Sequence, residues 1–156
     1  MSQQLNVYEL PTSVAPEELA GTTAVVIDVL RATTTILYAL QAGASEVIPC
    51  LEIGDALKIA ASLPRSQVVL GGERGGLPID GFDLGNSPRE YDPPAVAGKT
   101  VVMTTTNGTR AMDQCRIAES VLIGGFVNAA ALADRLAARE RIALVCAGSE
   151  IGRAHV

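Results

Sequence analysis

The sequence predicts an α/β fold, with a mainly parallel sheet covered by helices on both faces. Three observations lead there. Short continuous apolar runs alternate along the chain with segments of helical period, which is the βαβ signature. Hydrophobic residues make up 48% of the chain while aromatics make up 3% and Trp is absent, so the core has to be built from Val, Ile, Leu and Ala, as in helix-covered parallel sheets. The chain has 156 residues, enough for one domain with its own core.

Taken in order, TAVVIDVL (23–30) reads as the first buried strand. RATTTILYALQAGA follows with Ala, Leu and Ile at helical spacing and stops at Gly43. EVIPC (46–50) is the second strand and IGDALKIAASL (53–63) a helix that ends before Pro64. QVVLGGE (67–73) is the third strand. The segment 74–98 is rich in Gly and Pro and has no helical period; irregular stretches of that length inside compact domains are often functional. KTVVMTT (99–105) is the fourth strand, GTRAMDQCRIA (108–118) a helix and SVLIGGF (120–126) the fifth strand. Asn128 is expected to cap the helix AAALADRLAARE, and RIALVCAG (141–148) is the sixth strand.

Several function classes are excluded by composition. His155 is the single histidine, so a His-rich zinc site and any triad with a His base drop out. Cys50, Cys115 and Cys146 lie far apart and suit reduced thiols rather than a disulfide framework. The net charge of −5 argues against nucleic acid as a partner. No apolar run reaches membrane-spanning length and MSQQLNVYEL lacks the marks of a signal peptide, so a cytoplasmic protein without a membrane partner is expected. Apolar residues on the helices permit a homodimer.

In parallel α/β sheets ligands sit at the carboxyl ends of the strands. There the chain places Asp28 and Arg31, then GGERGG (71–76), then TTTNGTRA (104–111), then Cys146 and Gly148. In TTTNGTRA, Gly108 allows close backbone approach at a helix start, where unpaired N–H groups favour anions; Thr105, Thr106, Asn107, Thr109 and Arg110 add donors. Asn107 or Thr109 could equally just cap the helix. The pattern is not a Walker loop. Asp28 with Arg31 three residues on can hold a metal and an anion together, Mg²⁺ being the cation whose hard-oxygen preference fits, or can form a plain salt bridge. Haloacid-dehalogenase chemistry is trimmed away, because Asp28 is followed by Val29 and Leu30 rather than by a second Asp. Glu73 and Arg74 stand between glycine pairs. Asp80 and Asp83 are wrongly spaced for a calcium loop, and Asn86-Ser87-Pro88 reads as a turn. Two carboxylates, three arginines and an anion cradle on one edge suit a small, multiply anionic phosphorylated ligand with Mg²⁺.

In order and spacing, VIDVLRATTTI, GGERGGLPIDGFDLGNSP, TTTNGTRA, VLIGGFVNA and LVCAG resemble the 2-phosphosulfolactate phosphatase family of coenzyme M biosynthesis, from about residue 5 to Gly148. The resemblance implies a three-layer α/β/α fold with a parallel or mixed sheet. It also implies Mg²⁺-dependent hydrolysis of 2-phosphosulfolactate to sulfolactate and phosphate, a small anionic phosphoester being the partner. It carries Asp28, Glu73, Arg31 and Arg74 over as catalytic candidates, with Asp28 and Glu73 also as metal ligands. Thr105, Thr106, Asn107, Gly108, Thr109, Arg110, Asn86 and Ser87 become substrate-binding candidates. Cys146, in LVCAG, is a nucleophile candidate or a buried structural thiol. A non-catalytic binder of phosphorylated or sulfonated acids, or a phosphatase for another small phosphoester, would use the same residues.

Family members continue beyond LVCAG, so residues 1–148 are expected to be the amino-terminal part of one phosphatase-like domain, with the sheet incomplete at its C-terminus. Residues 149–156 are expected to be a non-native tail. The codons GAG ATC GGA AGA GCA CAC GTC spell Glu150–Val156 and match a common short-read sequencing adaptor whose next triplet, TGA, is a stop.

Overall fold

The computed structural model describes residues 3–149; all but the first residue of the tail expected to be non-native, 149–156, lies outside the described residues. The chain begins with β1 (Gln4–Tyr8) and passes through α1 (Pro16–Leu19) to β2 (Thr23–Ile27). There follow α2 (Ala32–Gln41), β3 (Glu46–Cys50), α3 (Ile53–Ala61), β4 (Val68–Gly72), α4 (Pro93–Val96), β5 (Thr100–Thr104), α5 (Gly108–Gln114), β6 (Ser120–Gly124), α6 (Ala129–Leu136) and β7 (Arg141–Cys146). This is the expected α/β architecture of parallel strands flanked by helices. The strands sort into two sheets rather than one, in the orders β1-β7-β2-β6 and β3-β5-β4, and their pairings are parallel throughout. An apolar run identifies a buried strand but not its neighbour, so sheet membership is not legible in the periodicity. α2 carries the chain from the first sheet to the second, and α5 carries it back.

Side chains on the strands sort with period two. Val69, Val101 and Met103 share one core cluster with Ala24, Val26, Ala143 and Val145 of the other sheet, and Ile36, Ala39, Ala111 and Met112 from α2 and α5 join it. The alternate residues Val68, Leu70 and Val102 pack instead with Cys50 and with Ala56 of α3. α2 and α5 therefore share a core with both sheets, and each fully buried Val contributes on the order of 1.5–3 kcal/mol.

Four local features differ from the sequence expectation. β1 is absent from it: this is an edge strand whose Leu5 and Val7 are exposed, so it lacks a continuous apolar run. β2 stops at Ile27 rather than at Leu30, because the Thr33 Oγ1 accepts from the Asp28 N–H (3.2 Å) and the Thr33 N–H donates to the Asp28 carbonyl (3.0 Å), turning the chain into α2. Within 74–98 the irregular path is broken by a short turn at Pro88–Glu90 and by α4, whose start carries a readable signal: Asp92 accepts from the Ala95 N–H (3.1 Å), with Pro93 first in the helix. Asn128 stands at the start of α6 but its side chain serves the preceding turn, accepting from the Gly125 N–H (2.9 Å) and donating to the Ile123 carbonyl (3.0 Å). Among the described residues no helix is long and apolar enough to cross a membrane.

Candidate functional site

The strand register sets the site. Ile27 lies level with Gly124 and Cys146, and Thr104 lies level with Cys50 and Gly72. The residues that follow these ends, Asp28, Glu73 and Thr105, therefore emerge at carboxyl ends of parallel strands. A cleft of about 300 Å³ opens there, lined by Asp28, Leu30, Arg31, Glu73, Gly75, Gly76, Asn86, Thr106 and Asn107. It draws on the ends of both sheets, with Asp28 and Arg31 following β2, Glu73 following β4, and Thr106 and Asn107 following β5.

Glu73 is buried, and its carboxylate ties the β4 loop to the β5 loop. The Thr106 N–H donates to Oε1 (2.7 Å), while the Thr106 hydroxyl (2.8 Å) and the Gly76 N–H (2.7 Å) donate to Oε2. The Thr106 hydroxyl oxygen also accepts from the Gly75 N–H (2.7 Å). A carboxylate offers about four lone-pair positions, so three of them are occupied and Glu73 is fixed in place.

Asp28 is set by the start of α5. A Cβ built on Gly108 would lie 2.8 Å from the Asp28 Oδ2 and 2.5 Å from the Ala32 Cβ. Only glycine there lets the first turn of α5 approach the carboxylate, where the positive end of the helix favours negative charge.

The alternative in which Asn107 or Thr109 merely caps the helix is not what TTTNGTRA adopts. The Thr109 N–H donates to the Thr105 Oγ1 (3.1 Å), and the Thr109 hydroxyl donates to the Thr105 carbonyl (2.7 Å) while accepting from the Thr105 N–H (3.2 Å). Both threonines are buried and engaged with each other. Asn107 makes no side-chain cap and lines the cleft instead. The three arginines separate as well. Arg31 lines the cleft. Arg74 donates to the Leu51 carbonyl (3.0 Å) and the Thr104 hydroxyl (2.9 Å), and Arg110 is exposed; neither lines the cleft. Ser87 begins the Pro88–Glu90 turn, also outside the lining.

Asn86 is buried, and its Oδ1 has no hydrogen-bond partner among the described residues. Leaving a buried acceptor unsatisfied costs about 1–3 kcal/mol, so this oxygen calls for a water, an ion or a ligand atom beside it. Sequence reasoning does not find what holds Asn86. Tyr91, 2% exposed, donates its hydroxyl to the Gly85 carbonyl (2.7 Å). That hydroxyl lies where a Cβ on Gly71 would fall, 2.1 Å away, so glycine at 71 and tyrosine at 91 are matched. Asp83 ties the same loop to β4, accepting from the Leu70 N–H (2.9 Å) and pairing with Arg65.

The donor set is hard oxygen: two carboxylates and a side-chain amide oxygen. Among the described residues no three His, Cys, Asp or Glu cluster tightly enough to cage an ion. Mg²⁺ is ordinarily held by one or two carboxylates together with waters and substrate phosphate, and the residues present fit that mode. The thiols do not enter. Burial, and then the charge of Glu9, push the Cys146 thiol up, away from the thiolate a nucleophile needs, and it does not line the cleft.

Fold and site together define an α/β protein that gathers carboxylates, a guanidinium and an orphan amide oxygen at the carboxyl ends of two parallel sheets. A family model described as 2-phosphosulpholactate phosphatase matches residues 8–154, and the chain belongs to that family. It is 44% identical over 147 residues to a probable 2-phosphosulfolactate phosphatase of Caldanaerobacter subterraneus, covering 94% of this chain and 61% of the relative. It is 46% identical over 143 residues to the protein of the same name from Caldicellulosiruptor saccharolyticus (88% and 58% covered), and 48% identical over 134 residues to that of Symbiobacterium thermophilum (85% and 58% covered). The chain thus spans about three fifths of the length of these curated relatives.

Proposed function

We propose that the protein is a Mg²⁺-dependent phosphatase that hydrolyses 2-phosphosulfolactate to sulfolactate and inorganic phosphate, in the route to coenzyme M. The observation that carries this reading is the convergence of Asp28, Arg31 and Glu73 on one cleft. The name shared by the relatives supplies the substrate.

Asp28 and Glu73 are the residues that would hold Mg²⁺. The bound ion supplies positive charge against the phosphoryl oxygens. Arg31 adds a guanidinium, which suits phosphate oxygens in a bidentate way. In the reaction a water oxygen bonds to phosphorus, the bond from phosphorus to the ester oxygen breaks, and the ester oxygen gains a proton. The attacking water must lose a proton. A cleft carboxylate, Asp28 or Glu73, is the group that would take it up and return it to the ester oxygen. Thr106 and Asn107 face the same cleft and would position the substrate.

The test is inorganic phosphate release from 2-phosphosulfolactate by the full chain with Mg²⁺. The expected result is release that stops with a chelator and in Asp28→Asn. Binding of the ester without release would replace the phosphatase reading with that of a binder of phosphorylated or sulfonated acids. Equal turnover of phospholactate, which lacks the sulfonate, would overturn sulfonate specificity.

A further inference from the structure

We propose that the side-chain oxygen of Asn86 is a ligand of the divalent cation, a neutral third oxygen beside the carboxylates of Asp28 and Glu73. This rests on the reading of the cleft as a cation site.

Asn86 is 8% exposed and lines the cleft, yet its Oδ1 finds no hydrogen-bond partner among the described residues. Buried polar atoms in folded proteins are nearly all satisfied, and an exception calls for a functional role or for a water or ion at that atom. The backbone around it is not loose. The Asn86 carbonyl accepts from the Thr35 hydroxyl (3.1 Å), and the Gly85 carbonyl accepts from the Gly72 N–H (3.1 Å) and the Tyr91 hydroxyl (2.7 Å). The Gly85 N–H donates to the Glu90 Oε2 (2.6 Å). Gly72 directly precedes Glu73, and Thr35 lies on α2, the helix that starts just after Asp28 and Arg31. Asn86 is therefore locked to the elements that carry both carboxylates.

The chemistry selects the ligand. Oδ1 can only accept, and so can the oxygens of a fully ionised phosphate, so those two do not bond directly. An acceptor sharing a cleft with two carboxylates is favoured when a cation lies among them. Asparagine carbonyls are ordinary ligands for hard cations.

Mn²⁺ is a suitable probe, because it shares the oxygen preference of Mg²⁺ and its free aqueous form is visible by electron paramagnetic resonance. The full chain is titrated as wild type, Asn86→Leu, Asn86→Asp and Asp28→Asn, with folding checked by circular dichroism. Asn86→Leu keeps the bulk and removes the oxygen; the expected result is an affinity loss of about tenfold or more, within the range seen when residues supporting a metal site are removed. Asn86→Asp adds ligand charge and is expected to tighten binding by about tenfold. If Asn86→Leu fails to fold, the Asp variant decides alone, and unchanged affinity in it overturns the proposal. Wild-type affinity in Asn86→Leu, alongside a loss in Asp28→Asn, overturns the role of Asn86 while the cation site stands. No Mn²⁺ binding by the wild type overturns both.

Discussion

Thr106 holds the Glu73 carboxylate by both of its donors, the backbone N–H at 2.7 Å on Oε1 and the hydroxyl at 2.8 Å on Oε2. One residue of the β5 loop thereby fixes the carboxylate that follows β4, and its hydroxyl also accepts from Gly75. Thr106→Val keeps the shape and the N–H bond but deletes the hydroxyl. The expected stability loss is about 1–2 kcal/mol, for one charge-assisted bond, while the exposed Gly75 N–H turns to water. Phosphate release should fall by about tenfold or more, since a carboxylate freed to rotate no longer sits where the cleft needs it. Urea melts and phosphate assays measure the two effects separately; a stability loss with full activity would place Thr106 outside the site.

Two glycines should fail in different ways. Gly72 has φ +126°, and a Cβ there would lie 1.8 Å from the Thr104 carbonyl oxygen, a backbone atom that cannot step aside. Gly72→Ala is expected to cost about 3 kcal/mol or more, enough to unfold a marginal domain. Gly108→Ala would press on the Ala32 Cβ and the Asp28 carboxylate. It should cost about 1–3 kcal/mol, leave the chain folded, and displace Asp28. Circular dichroism should show Gly108→Ala folded, with phosphate release and Mn²⁺ binding both impaired; a folded variant with full activity would detach Asp28 from the chemistry.

The sequence is legible where chemistry depends on neighbours along the chain. β3 falls at its expected bounds, because EVIPC is a short apolar run between turn residues. The meeting of Asp28, Arg31, Glu73, Thr106 and Asn107 in one cleft follows from the rule that parallel strands put ligands at their carboxyl ends, whereas Asn86, far along the loop after β4, is not placed by that rule. What the sequence hides depends on direction and partner. Thr105, Thr109, Arg74 and Arg110 stand near the same strand ends but outside the lining of the cleft, and spacing does not encode where a side chain points. The division into two sheets is hidden for the same reason, because pairing is a tertiary choice. Tyr91 shows no pattern at all, since its partner Gly71 lies across the loop.

The three arginines give a direct test of that sorting. Arg31→Ala removes the guanidinium that lines the cleft, and ester affinity or turnover should drop by about tenfold to a hundredfold, as befits loss of a charge-assisted contact. Arg110→Ala touches an exposed side chain outside the lining and should change neither by more than about twofold, because exposed charges are screened. Arg74→Ala should act through folding. It removes two guanidinium bonds, leaving the Leu51 carbonyl and the Thr104 hydroxyl only their own 3.3 Å bond, and the expected loss is about 1 kcal/mol in urea melts with ester affinity preserved. Equal losses of affinity in all three variants would mean that the whole edge binds ligand, as the residue types alone suggest.

Alkaline pH should weaken the fold before it reaches the chemistry. Cys115 is fully buried, and burial pushes its thiol up from 9.0 to about 11. Burial, and then the charge of Glu90, raise the Tyr91 hydroxyl too, partly offset by a hydrogen bond from the Gly72 backbone. A group whose folded pKa is raised binds its proton more tightly in the folded state than in the unfolded one. Its contribution is complete below the unfolded pKa and is lost as pH climbs through the folded value. For Cys115 the window runs from pH 9 to about 11. The loss is on the order of 2–3 kcal/mol, because each tenfold difference in proton affinity between the two states is worth about 1.4 kcal/mol. Urea melts across this window should show stability falling as pH rises. Cys115→Ala, which cannot titrate, should start lower for want of packing but fall less steeply. An equal slope in the variant would assign the loss to Tyr91 or to other alkaline groups. Neither Cys115 nor Tyr91 lines the cleft, so phosphate release measured while the chain remains folded should show no step attributable to either.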